Sequence, residues 1–91
     1  IFLEPKEPIL FLFQYLMKLG LTRRESEISC LVAQGFTNAK ISEKLFISRY
    51  TVENHLRSVF DKMHVPNRTS LAYQLIRLTL QMPQPCPVNR R

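Results

Sequence analysis

The sequence predicts an all-α chain built around a helix-turn-helix unit, on three observations. Residues 48–63, SRYTVENHLRSVFDKM, place Val52, Leu56, Val59, Phe60 and Met63 at spacings of four, three, one and three, the apolar stripe of a 3.6-residue period. Just before it, Thr37 opens a shorter helical segment, 38–45, and Phe46, Ile47 and Ser48 leave room only for a tight turn between the two. With 91 residues, 45% of them apolar, the chain has enough material for one domain with one modest core.

Taken in order, residues 1–8 carry two prolines and alternating charges, which suit a linker or the tail of a preceding domain. The first residue is Ile1 rather than Met, so a fragment with a further N-terminal domain is expected. From Pro8, an N1 proline, ILFLFQYLMKLG predicts a helix closed by Gly20 at a C′ position. It is apolar nearly all round and therefore needs burial on more than one side. Phe11, Phe13, Tyr15 and Leu16 cannot all face one small core, and are expected at a contact with a second protomer. The alternative is that this is simply a core helix.

Thr22 and Glu25 form a capping box that opens the next helix, 22–34, and Gly35 stops it. Ile28, Leu31 and Val32 are its buried stripe, with Cys30 a small apolar filler at the edge. Thr37 caps the third segment, which buries Ala39 or Ile41 together with Leu45 and exposes Lys40, Glu43 and Lys44. Ser48 caps the long helix, whose outward side carries Arg49, Tyr50, Glu53, Asn54, Arg57 and Asp61. Pro66 ends that helix by disfavouring helical geometry at Val65. Asn67 or Thr69 caps a last helix, 68–80, with Leu71, Leu75 and Leu78 inward and Tyr73, Ile76 and Leu80 left over. The tail MPQPCPVNRR has three prolines and no period, and is expected to be disordered. The expected organisation is thus a linker and apolar helix over 1–20, a helix-turn-helix domain over 21–80 and a basic tail over 81–91.

Thirteen Lys and Arg against seven Asp and Glu give a net charge of +6, and the pI of 9.8 exceeds the value of about 9 typical of nucleic-acid binders. Residues 1–20 hold two Lys against two Glu, so the whole excess lies from Leu21 onward. Two cysteines, Cys30 and Cys86, make no disulfide framework and suggest reduced thiols in a cytoplasmic protein. No apolar run approaches the roughly 18 residues that cross a bilayer. There is no nucleophile with a partnered base, no metal-ligand cluster around His55 or His64 and, with two glycines, no phosphate-cradling loop; neither an enzyme nor a cofactor is expected.

LTRRE at 21–25, LVAQGFTNAKIS at 31–42, LFIS at 45–48, TVENHL at 51–56 and DKMHVPNRTSLA at 61–72 together resemble the C-terminal DNA-binding domain of LuxR-type (LuxR/GerE) transcriptional regulators of bacteria. The words are weak singly, but their order and spacing are specific. The resemblance implies a four-helix domain, here preceded by the extra apolar helix, whose third helix, about 49–63, enters the major groove of double-stranded DNA. Its fourth helix, here with Tyr73 and Ile76, often pairs two protomers on a palindromic site. By the same resemblance Tyr50, Glu53, Asn54 and Arg57 read bases, while Thr37, Asn38, Ser48 and Thr51 grip phosphates. Chemistry agrees: Asn54 can pair with adenine and Arg57 can fork onto guanine, and free N–H groups at the two capped helix starts suit anions. Arg49 and Lys40 are further phosphate grips or solvated charges.

The family commonly has Lys or Arg after the Thr-Val pair, and this chain has Glu53. A carboxylate repels phosphate but accepts from cytosine, so Glu53 is expected to shift the preferred half-site; alternatively it pairs with Arg49 or Arg57, four residues away on either side. The expected partners are double-stranded DNA, a second copy of the chain, an N-terminal sensory or receiver domain and RNA polymerase. The competing reading is a protein-interaction module with a helix-turn-helix fold and little DNA affinity.

Overall fold

The structure is a computed structural model that describes residues 7–81. It consists of five helices: α1 (Glu7–Lys18), α2 (Arg23–Ala33), α3 (Asn38–Leu45), α4 (Arg49–Met63) and α5 (Arg68–Gln81). The expected linker over 1–6 and the basic tail over 82–91 with Cys86 lie outside the described residues. Glu7 and Pro8 already belong to α1, so the helix begins slightly earlier than its proline suggests.

Local chemistry sets the helix boundaries. At the start of α2 the Glu25 N–H donates to Thr22 Oγ1 at 3.1 Å while the Thr22 N–H donates to Glu25 Oε1 at 3.0 Å, a complete capping box. Thr37, Ser48 and Asn67 cap α3, α4 and α5 by accepting from Lys40, Thr51 and Ser70 N–H groups respectively. Of the two caps the sequence left open for α5, Asn67 is the one used. All four loops between helices close with the same device: a residue of positive φ just past the helix, followed by an N–H that reaches back five residues. Gly20 and Gly35 supply two of the turns at φ +108° and +94°. Phe46 and His64 supply the other two at φ +58° and +59°, where a side chain is strained.

The helices enclose one core of Leu12, Leu16, Leu21, Ile28, Cys30, Val32, Ile41, Val52, Leu56, Val59, Leu71 and Leu75. α2 is the central element, packed on α1, α4 and α5, and α3 leans on α4. Leu12 and Leu16 are fully buried, so α1 belongs to this core while still exposing Leu10, Phe11, Tyr15, Met17 and Leu19. This corrects the expectation for Leu16: it faces the chain's own interior and offers no surface to a partner. Ile41, not Ala39, is the residue of α3 that is wholly buried, and Leu31 packs at the edge of the core.

Cys30 is buried, and its thiol donates to the Ile9 carbonyl at a long 3.9 Å. Burial, reinforced by the Glu27 carboxylate, pushes its pKa up to about 12. The group is a space-filling thiol, with its reactive thiolate suppressed.

A second tie links distant parts of the chain. Lys62, near the end of α4, donates from Nζ to Glu25 Oε1 at 2.8 Å and to the Gly20 carbonyl at 3.3 Å. Burial opposes the charge on Glu25, but hydrogen bonds from Lys62, the Thr22 backbone and Ser58, with the attraction of the Lys62 ammonium, outweigh it and hold the pKa at about 2.

Among the described residues there is no strand, and no helix is long and apolar enough to cross a membrane.

Candidate nucleic-acid interface

α4 buries one side and presents the other. Val52, Leu56 and Val59 lie inside, and Arg49, Tyr50, Glu53, Asn54 and Arg57 lie outside, with Tyr50 69% exposed. The division follows from the period: positions 52, 56 and 59 recur on one side, so 50, 53, 54 and 57 must look away. The four residues expected to read bases therefore share one open face. They begin at the first turn of a capped helix, where unpaired N–H groups favour negative charge.

At that helix start the Ser48 and Thr51 hydroxyls lie 2.9 Å apart, and the Thr51 N–H donates to Ser48 Oγ at 3.0 Å. Both hydroxyls have a partner in the chain and each retains a lone pair or rotatable proton for a further one. Thr37 occupies the same position on α3, accepting from the Lys40 N–H at 3.2 Å.

Surface charges divide into paired and unpaired groups. Lys40 pairs with Glu43 at 3.5 Å, and Arg23 and Arg24 pair with Glu27 on α2. Among the described residues neither Arg49 nor Arg57 forms an ion pair. Glu53 pairs with neither arginine, contrary to the alternative open from sequence; Arg57 Nη1 instead donates to Asn54 Oδ1 at 3.2 Å. Glu53 is therefore an exposed carboxylate in its own right. For Asn54 and Arg57 both to read bases, their mutual bond must open, or Asn54 must accept a second donor.

Asn38 has a different surrounding from that of a simple surface grip. Its Oδ1 accepts from Arg68 Nη1, and Arg68 Nη2 donates to the Phe36 carbonyl. The pair stands between two shallow hollows, one bordered by Thr37, Ala39 and Arg49, the other by Glu53, Leu56, Arg57 and Phe60. Sequence reasoning placed Arg68 only as the start of the last helix. Its partners lie 30 and 32 residues away, and the only signal over the segment is its place in the stretch DKMHVPNRTSLA that carries the family resemblance.

Phe46 is 93% exposed in the turn between α3 and α4. The Lys44 ammonium lies 4.7 Å from the Phe36 ring centre, a cation–π contact. On the far helix Tyr73 and Ile76 are exposed, with Arg77 over the Tyr73 ring at 5.8 Å.

Comparison with known proteins gives a consistent result. Residues 19–75 match the family model described as bacterial regulatory proteins, luxR family. The chain is 48% identical over 53 residues to the transcriptional regulatory protein LiaR of Bacillus subtilis, covering 58% of this chain and 25% of LiaR. It is 42% identical over 57 residues to the transcriptional regulatory protein DegU of Brevibacillus brevis, covering 63% and 24%. It is 38% identical over 58 residues to the spore germination protein GerE of B. subtilis, covering 64% of this chain and 78% of GerE. The matched region thus spans about a quarter of LiaR and DegU. No solved structure matches.

Proposed function

Because the chain belongs to the luxR family of bacterial regulatory proteins, a family of regulators rather than enzymes, we propose that it binds double-stranded DNA sequence-specifically, with the N-terminal half of α4 in the major groove. The observation that carries this reading is the exposed row Tyr50, Glu53, Asn54 and Arg57, projected from a helix whose opposite side is locked into the core. A helix so held presents its side chains to base edges from a backbone that needs no further ordering. Arg49, Thr37, Asn38, Ser48 and Thr51 surround the row and supply phosphate contacts. Lys40 joins them by exchanging its Glu43 partner for phosphate.

A dimer is the form we infer, since a palindromic site matches a two-fold protein. The supporting surface is the exposed apolar set Phe11 and Tyr15 with half-buried Phe13 on α1, and Tyr73 and Ile76 on α5, two helices that pack on each other. A sensory or receiver domain within a longer regulator, and contact with RNA polymerase, extend the same proposal. Support for the former is that LiaR and DegU are about four times the matched length.

The test is selection from a randomised duplex pool at several salt concentrations, with sequencing of the retained DNA. A palindromic motif, bound with affinity that falls steeply as salt rises, is the expected result. Retention without enrichment would remove sequence specificity. Absence of binding even at low salt would favour a protein-interaction module built on this fold.

A further inference from the structure

Arg68 stands at the first position of α5, where a cation opposes the positive end of the helix dipole. What offsets that placement is its two bonds across the chain, to Asn38 Oδ1 and to the Phe36 carbonyl. A guanidinium has donors only, so the Asn38 atom facing it must be the oxygen. The amide is thereby fixed in one of its two orientations, and its Nδ2 donors are directed away from Arg68. No acceptor in the described residues takes them. An amide without that bond must be turned donor-outward and held there by the phosphate itself, so its contact is weaker.

Resting on the DNA-binding reading, we propose that Arg68 is a positioning residue for phosphate contact: it fixes the Asn38 amide donor-outward. It also adds a third guanidinium to the ridge between Arg49 and Arg57. Among the described residues Glu53 is the sole acidic one bordering either hollow, and Arg68 has no ion pair that would cancel its charge. The ridge thus joins the phosphate-gripping side, with Thr37 and Arg49, to the base-facing side, with Glu53 and Arg57. Arg68 does so from a helix that the sequence-reading face does not include.

The test measures binding of the full chain to random-sequence duplex DNA across salt concentrations, alongside thermal unfolding. Asn38→Ala and Arg68→Leu are each expected to weaken binding roughly tenfold. The double variant should be little weaker than the worse single one, because most of what Asn38 contributes depends on Arg68. Losses that multiply overturn the inference, as does an Arg68→Leu chain that melts earlier but, while folded, binds with unchanged affinity and salt slope. Asn38→Asp provides the measurement if Arg68→Leu does not fold. Its carboxylate keeps the Arg68 bond and the melting temperature but replaces outward donors with an acceptor, so it should bind DNA more weakly than Asn38→Ala. Binding by Asn38→Asp equal to the unaltered chain overturns the proposal. An unaltered chain that fails to bind at low salt overturns the DNA reading and this inference with it, whereas multiplying losses overturn this inference alone.

Discussion

Lys62 Nζ and Glu25 Oε1 lie 2.8 Å apart, joining residues 37 positions distant in the chain. Glu25 already caps α2, and Lys62 also grips the Gly20 carbonyl. One ammonium therefore ties the end of the exposed helix to the entrance of the central one. With Glu25 buried, truncating Lys62→Met leaves a carboxylate without its main counter-charge. Stability should fall by about 3 kcal/mol, measured by urea unfolding.

The same pair determines acid sensitivity. Glu25 titrates near 2 in the folded chain against an ordinary value of 4.5. A depressed carboxylate contributes stability that is present above its unfolded pKa and lost as pH falls through the folded one. The window is therefore about pH 5 down to 2, and the contribution about 3 kcal/mol. Unfolding free energy should decline across that window, and Glu25→Gln should flatten the decline while lowering stability at pH 7.

Ser26 and Ser29 are fully buried on α2, and among the described residues neither hydroxyl has a hydrogen-bond partner. An unsatisfied buried hydroxyl costs about 1 kcal/mol or more. Ser29→Ala keeps the volume nearly constant and removes that cost while raising helix propensity. The variant should melt several degrees higher; a lower melting temperature would show that a hydroxyl has found a carbonyl of the preceding turn.

Phe46 combines a left-handed backbone with an almost fully exposed ring. Phe46→Gly relieves the φ strain and loses little burial, so a gain of about 0.5–1 kcal/mol is expected in denaturant unfolding. Gly20 and Gly35 already show the unstrained form of this turn.

Glu53 is exposed and forms no ion pair among the described residues, so its replacement alters the partner-facing chemistry and little else. Glu53→Lys should raise affinity for random duplex and its salt slope by about one phosphate contact. It should also change the half-site recovered by selection; an identical half-site would exclude Glu53 from base reading.

For the proposed dimer, deletion of residues 1–20 is an unsuitable probe, since it removes Leu12 and Leu16 from the core. Phe11→Ser with Tyr15→Ser tests the α1 surface, and Tyr73→Ser with Ile76→Ser tests α5. Sedimentation should show weaker association for whichever pair lies in the interface, at unchanged helicity.

Features set by neighbours in sequence are legible in the sequence itself. The Thr22–Glu25 box, the caps at Thr37 and Ser48, and the stops at Gly20 and Gly35 all depend on residues within a turn of each other. The stripe of α4 likewise announced which side would be outward. Long-range ties were not readable: no periodicity joins Lys62 to Glu25 or Arg68 to Asn38. Nor does composition show that Phe46 and His64 adopt the conformation that glycine adopts elsewhere. α1 misled for a different reason. A helix apolar on every side carries no contrast from which to choose a face, so Leu16 could not be told from Tyr15.

The core contribution of α1 separates two boundaries that are usually assumed to coincide. The family match begins at residue 19, yet Leu12 and Leu16 lie within the same packed interior as Val52 and Leu71. Modularity is therefore incomplete here. A recombination event that transplanted only the matched region into another regulator would leave an uncovered apolar trough along α2 and α5. The recipient would have to bring a strut of similar girth and register, so the sequence just ahead of the matched region is constrained by shape even where it shares no motif.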